Sequence, residues 1–103
     1  MSIREILRTE NVLVRVMELE KDGSTDWHFH SEVTDFFVCL NGLIQVETKN
    51  PDKTVLLIPG QLAEVVPMKV HRVINVNEDK AEYLLIQGIG AYDFCREGLH
   101  GDR

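Results

Sequence analysis

The sequence predicts an all-β domain, a sandwich or small barrel, and three observations predict it. Short runs rich in β-branched and aromatic residues recur from Val12 to Ile89. Turn-forming residues punctuate them at intervals of roughly 8–12 residues. Helical periodicity is nearly absent. At 103 residues the chain holds one core and is too short for two, so residues 1–103 are read as a single domain.

Taken in order, residues 1–10 place Ile3, Ile6 and Leu7 at helical spacing and predict one short helical turn. Val12–Glu20 reads as a strand, with Val12, Val14 and Val16 on one face and Leu13, Arg15, Met17 and Leu19 on the other. Both faces are mostly apolar, which suits a sandwich or barrel wall. This strand is expected to offer an edge for pairing with a second copy. Lys21–Thr25 is a turn, Trp27–His30 a short strand and Thr34–Leu40 a longer one. Asn41-Gly42 predicts a hairpin into Leu43–Thr48. Asn50-Pro51-Asp52 and Pro59-Gly60 are turns around the strand Thr54–Ile58. Leu62–Val66, a Pro67–Val70 bend, His71–Val76, a polar turn at Asn77–Lys80 and Ala81–Ile89 complete eight or nine strands. After Gly88 the alternation is lost, so 90–103 is expected to be an irregular C-terminal extension.

Composition excludes several classes of partner. The formal net charge is −6, unsuited to nucleic acid or an anionic membrane, which both require a cationic surface. No apolar run is long enough to span a bilayer. Charges interrupt the first ten residues, where a signal peptide needs apolar character, so a cytoplasmic location is expected. Cys39 and Cys95 make no disulfide framework and are read as reduced thiols.

The chemistry concentrates between Gly23 and Gly42. His28 and His30 stand two apart, so on a strand both imidazoles face one way and can converge on one ion. Asp35 follows five residues later, in phase with Phe37 and Cys39 on the next strand. Aspartate is depleted in strand interiors and costly to bury unpaired, so it needs a cation, an arginine or a turn amide. His71 lies in a second patterned stretch. Imidazole and carboxylate together suit Fe, Mn, Ni, Cu or Zn. The competing reading is ordinary: a lone strand histidine is most often a satisfied core or surface residue. Glu32 is in phase with His30 and is either a substitute ligand or an exposed turn acid. Cys39 is either a cavity thiol or a small buried hydrophobe. Phe37 is expected to point into the barrel beside the ligands. Trp27, Phe29 and Phe36 are out of phase and belong either to the core between sheets or to a dimer surface. Glu64 is either near the site or a plain exposed residue. Arg72 is out of phase with His71, and His100 sits in a polar tail.

Gly23-x4-His28-x-His30-x4-Asp35-x6-Gly42 and Gly60-x6-Pro67-x3-His71-x3-Asn75 resemble the two motifs of the cupin superfamily. The resemblance spans about residues 23–42 and 60–75, with a short stretch between, as in small bacterial single-domain cupins. It implies a double-stranded β-helix, or jelly-roll barrel, of the sugar-isomerase-like type. It implies His28, His30 and His71 as metal ligands, with Asp35 where the family has glutamate. Gly42, Gly60, Pro67 and Asn75 would be turn or structural positions. It further implies one divalent ion per chain (Fe, Mn, Ni or Zn), a small-molecule ligand and a homodimer. Three departures stand out: aspartate replaces glutamate, no glycine lies between Pro67 and His71, and the loop before His28 is one residue short.

Two functions follow as expectations. One is a metalloenzyme acting on a small polar metabolite, of oxygenase or isomerase type, with catalytic residues unassigned. The other is a non-catalytic, metal-dependent binding protein. A cupin with a vestigial site is disfavoured, because unpaired buried polar groups cost stability.

Overall fold

In a computed structural model, which describes residues 1–97, two five-stranded antiparallel sheets face each other. The strands are β1 (Ser2–Arg8), β2 (Val12–Leu19), β3 (His28–Phe29), β4 (Thr34–Asn41), β5 (Ile44–Thr48), β6 (Lys53–Leu57), β7 (Leu62–Val65), β8 (His71–Asn75), β9 (Ala81–Gly88) and β10 (Cys95–Arg96). One sheet runs β1-β2-β9-β4-β7 and the other β10-β3-β8-β5-β6. The interleaved order is that of a jelly roll, and no described residue is helical.

Register sorts the inner face of the first sheet into rows. One row is Leu13, Gln87, Asp35 and Val65, and the next Arg15, Leu85, Phe37 and Ala63. A third holds Met17, Tyr83 and Cys39. From the second sheet, Val73 sits opposite Val46, and Asn75 opposite Ile44. Met17, Phe37, Cys39, Ile44, Val46, Val73 and Tyr83 form the core, and Tyr83 is fully enclosed. The polar row lies beside this core, which places the site in one end of the barrel.

Four expectations are corrected. Residues 2–8 pair with β2 as a strand, because an isolated turn of helix leaves backbone groups that the open edge of β2 can satisfy. β2 is therefore an inner strand between β1 and β9, and the outer edge passes to β1. Asn41-Gly42 does not close a hairpin: β4 pairs with β7 and β9, whereas β5 pairs with β6 and β8. It is a corner at which the chain changes sheet. The segment after Gly88 is not wholly irregular, since β10 pairs with β3. The Asn50–Pro51 turn does close the β5–β6 hairpin.

Asn75 anchors the turns at the far end of the barrel. Its side-chain amide donates to the carbonyls of Leu19, Glu20 and Asp79 at 2.8–3.0 Å, as the structural role expected of it requires.

Gly42 and Gly60 both have positive φ, +85° and +90°. A Cβ on Gly42 would stand 2.9 Å from Asn77 Nδ2, 3.0 Å from Ala81 Cβ and 3.1 Å from the Lys80 carbonyl, whereas a Cβ on Gly60 meets nothing within 4 Å. Both alanine variants carry the left-handed backbone penalty of about 1–2 kcal/mol. Gly42→Ala adds crowding against Asn77, Ala81 and the Lys80 carbonyl, so its urea unfolding midpoint should fall clearly below that of Gly60→Ala. Equal midpoints would refute the steric part of this account.

Candidate metal centre

Three strands and one short loop bring the predicted residues together. His28 on β3 is the register partner of His71 on β8. His30 follows β3 on the same face. Asp35 enters from β4 in the opposite sheet. All four are buried, and a ligand atom from each lies within 4.8 Å of the others.

The imidazoles are aimed by backbone. His28 Nδ1 lies 2.6 Å from the Asp26 carbonyl, His30 Nδ1 2.5 Å from the Asp93 carbonyl, and His71 Nδ1 2.7 Å from the Lys69 carbonyl. A carbonyl oxygen only accepts, so each Nδ1 carries the proton and donates it. In a neutral ring this leaves Nε2 as a lone pair. Yet Nε2 of His30 and of His71 both approach Asp35 Oδ2, at 3.0 and 2.9 Å. Lone pair facing carboxylate is repulsive, so the site requires a cation: either a proton on the rings or a metal ion among them.

The protonation balance reflects this crowding. Burial, with the neighbouring His71 adding to it, pushes His28 down to about 4, so it is neutral at ordinary pH. Burial opposes a charge on His30 too, but the hydrogen bond and charge of Asp35 outweigh it and raise the ring. Burial likewise works against ionised Asp35, but the hydrogen bonds from His30 and His71 win and hold it at about 2.

Gln87 is a site residue that the sequence reading missed. On β9 it pairs across from Asp35, and its Nε2 donates to Asp35 Oδ1 at 3.0 Å. The signal was present: Gln87 is a polar residue in phase with Ala81, Tyr83 and Leu85. Its Oε1 is the sole buried side-chain nitrogen or oxygen among the described residues with no hydrogen-bond partner.

A cavity of about 340 Å³ opens from the cluster, lined in part by Arg15, Phe37, Leu85, Gln87, Tyr92 and Phe94. The segment before β10 closes over it. Phe94 stacks on His28 at 4.3 Å between ring centroids, and Tyr92 lies 5.4 Å from His30. Ser31 donates to the Asp93 carboxylate through both its amide and its hydroxyl, which fastens this segment.

The remaining candidates sort cleanly. Phe37 lines the cavity as expected, 5.9 Å from the His71 ring. Cys39 is a buried core residue and does not line it. Glu32 is exposed and accepts from the Ala91 amide at 3.2 Å, so it is not part of the cluster. Glu64 is exposed. Phe29 is buried, but Trp27 and Phe36 are not core between the sheets. Trp27 stacks under the cations of Lys49 and Arg72, and Phe36 lies on the outer face of the first sheet. Arg72 points away from the site to Glu47 at 2.7 Å. Arg15 was read as one of an apolar face, and it supplies a cation to the cavity that the sequence reading did not expect. His100 lies outside the described residues.

The model of the Cupin domain family matches residues 15–87, a span holding all four clustered residues and Gln87. No curated protein matches the sequence. Among solved structures, a conserved protein with a double-stranded β-helix domain from Klebsiella pneumoniae superposes with a TM-score of 0.79 at 20% identity, over 89% of this chain and 79% of that one. A cupin 2 domain-containing protein from Halorhodospira halophila gives 0.81 at 16%, over 94% and 69%. An oxalate oxidase gives 0.82 at 14%, over 93% of this chain but only 54% of its own. At these identities the likeness shows the fold. The family match and the two-motif pattern agree, and the chain belongs to the cupin family.

Proposed function

We propose that His28, His30, Asp35 and His71 hold one divalent transition metal ion, and that the protein is a metalloenzyme acting on a small polar metabolite in the adjoining cavity. The observation that carries this reading is the clamping of three Nδ1 atoms by backbone carbonyls, which leaves three Nε2 atoms to ligate, two of them already on one carboxylate. Metal-ligating histidines characteristically make this second hydrogen bond. Iron, manganese, nickel or zinc held there supplies a Lewis acid for a carbonyl or water, and iron supplies oxygenase chemistry as well. The chain's own contribution is to fix the imidazoles, hold Asp35 through Gln87, and cover the site with Tyr92 and Phe94.

A second reading, metal-dependent binding without catalysis, has one observation in its favour. The cavity's carboxylates are both engaged, Asp35 by His30, His71 and Gln87, and Asp26 by Arg96 at 3.2 Å. Neither stands ready as a general base. Elemental analysis of untagged protein, followed by turnover assays chosen by the metal found, separates the readings. Oxygen uptake is the assay for iron, and isomerase or hydrolase panels are the assay for zinc or manganese.

We also propose a homodimer, through a face rather than an edge. The outer face of the first sheet presents Val14, Val16, Leu84, Ile86, Phe36 and Val38, none of them in the buried core. A contiguous apolar patch on a sheet of this size calls for cover, and a second copy supplies an identical one. No helix among the described residues is long and apolar enough to cross a membrane.

Four outcomes are expected. His28→Ala and His71→Ala should each abolish tight metal binding, while His100→Ala should not; full metal content in the first two sinks the assignment. Asp35→Asn should cost as much as a lost histidine if the carboxylate ligates directly, but only about 10–100-fold if it orients ligands from outside. Metal affinity should rise with pH while His30, whose pKa is raised, gives up its proton, with proton release seen in buffers of different ionisation enthalpy. Val38→Lys should yield a monomer by light scattering; an unchanged mass removes the proposed dimer face.

A further inference from the structure

Arg15 is the unexplained charge in this cavity. It lies on the inner face of β2 opposite Leu85, one register step from the row of Gln87 and Asp35. Its guanidinium carbon stands 4.9 Å from the Tyr92 ring centroid, and Tyr92 is the ring beside His30. The stack holds the cation next to the cluster without neutralising it. The acids around it are taken. Glu5, its register partner on β1, accepts from Arg8 at 2.8 and 3.0 Å, and Asp26 pairs with Arg96. Among the described residues the Arg15 guanidinium makes no ion pair and no side-chain hydrogen bond.

Gln87 supplies the second, independent observation. Its side chain is 2% exposed, its Nε2 is committed to Asp35, and its Oε1 has no donor. Leaving a buried acceptor unpaired costs about 1–3 kcal/mol, so such an atom calls for a hydrogen-bond donor from a ligand. Gln87 and Arg15 line the same cavity, about 340 Å³ in volume. At roughly 30 Å³ per water, that volume suits a molecule of about ten non-hydrogen atoms.

We propose that this cavity binds a small hydroxycarboxylate: the carboxylate pairs with Arg15, the hydroxyl donates to Gln87 Oε1, and an apolar remainder packs on Phe37, Leu85 and Phe94. The planar guanidinium offers the paired donors that a carboxylate accepts. The length of the arginine side chain covers the one-step offset, about 7–8 Å between diagonal strand neighbours. This names the ligand class for the cavity assigned above and rests on that reading only for the cavity being a ligand site. It does not require that the metal be present.

The test is calorimetry with mandelate on the full chain, both metal-loaded and after dialysis against chelator. Mandelamide serves as the uncharged counterpart and phenylacetate as the one without the hydroxyl. Wild type should bind mandelate saturably, with mandelamide and phenylacetate each weaker by about tenfold or more. Arg15→Met should weaken mandelate by about 10–100-fold, the range for a charge-assisted hydrogen bond, and erase its advantage over mandelamide. Its urea midpoint and metal content should stay those of wild type. Arg15→Lys, which keeps the charge but not the fork, should fall between; it carries the test if the methionine variant does not fold. Equal affinity for mandelate and mandelamide overturns the proposal, as does an Arg15→Met variant that binds like wild type. So does the absence of saturable mandelate binding up to about 20 mM in both forms. Arg15-dependent binding by a chain that takes up no metal upholds this inference while removing the metal centre. Metal-dependent binding indifferent to Arg15 does the reverse.

Discussion

Asp35 lies 1% exposed between two sheets, and its carboxylate meets His30, His71 and Gln87 within 3.0 Å. An unpaired charge at such depth is prohibitively costly, so the surrounding groups are a condition of folding as well as of chemistry. Those groups come from opposite sheets: His30 and His71 belong to one, Gln87 to the other. The contact therefore exists only when the two sheets close at the right spacing and register. A slip of one residue in β4 would turn Asp35 outward and send Phe36 into the barrel.

The same constraint explains where the apolar core stops. The row of Met17, Tyr83 and Cys39 fills the closed end with hydrophobic volume. Two rows further along, Leu13 and Val65 flank Gln87 and Asp35, and packing gives way to polar contact and then to cavity. Backbone does much of the positioning at this boundary. Each imidazole is fixed by a carbonyl two residues away in sequence or, for His30, by Asp93 from the distant C-terminal segment. That segment thus covers the site and orients one of its rings at once, so its placement and the geometry of the cluster are coupled.

Some of this was legible in the chain and some was not, for identifiable reasons. The His28–His30 pair and Asp35 announce their facing through a period of two, which needs no tertiary information. His71 was recognisable by motif spacing, although the stretch before it lacks a glycine; there Met68 takes the positive φ, at 67°. Gln87 was readable in principle as a polar residue in the inward phase of β9, but glutamine raises less alarm than a buried charge. Arg15 was placed correctly on the face of Leu13, Met17 and Leu19, yet nothing local says that this face borders a cavity rather than packed core. The first strand was misread because Ile3, Ile6 and Leu7 satisfy helical spacing. An open edge on β2 overrides so weak a local preference.

The sequence by itself determined the all-β class, most strand positions and the in-phase sets of side chains. These follow from alternation and turn chemistry, which act over a few neighbouring residues. Only the tertiary structure decided that Asn41-Gly42 is a corner between sheets, and that Arg15, Gln87 and Asp35 meet at one cavity. It also decided that Val14, Val16, Phe36, Val38, Leu84 and Ile86 gather on the outer face of the first sheet, half-buried rather than in the core. Each of these depends on which strands pair across long separations in the chain. That choice is made by the collective burial of both sheets, and no local pattern encodes it.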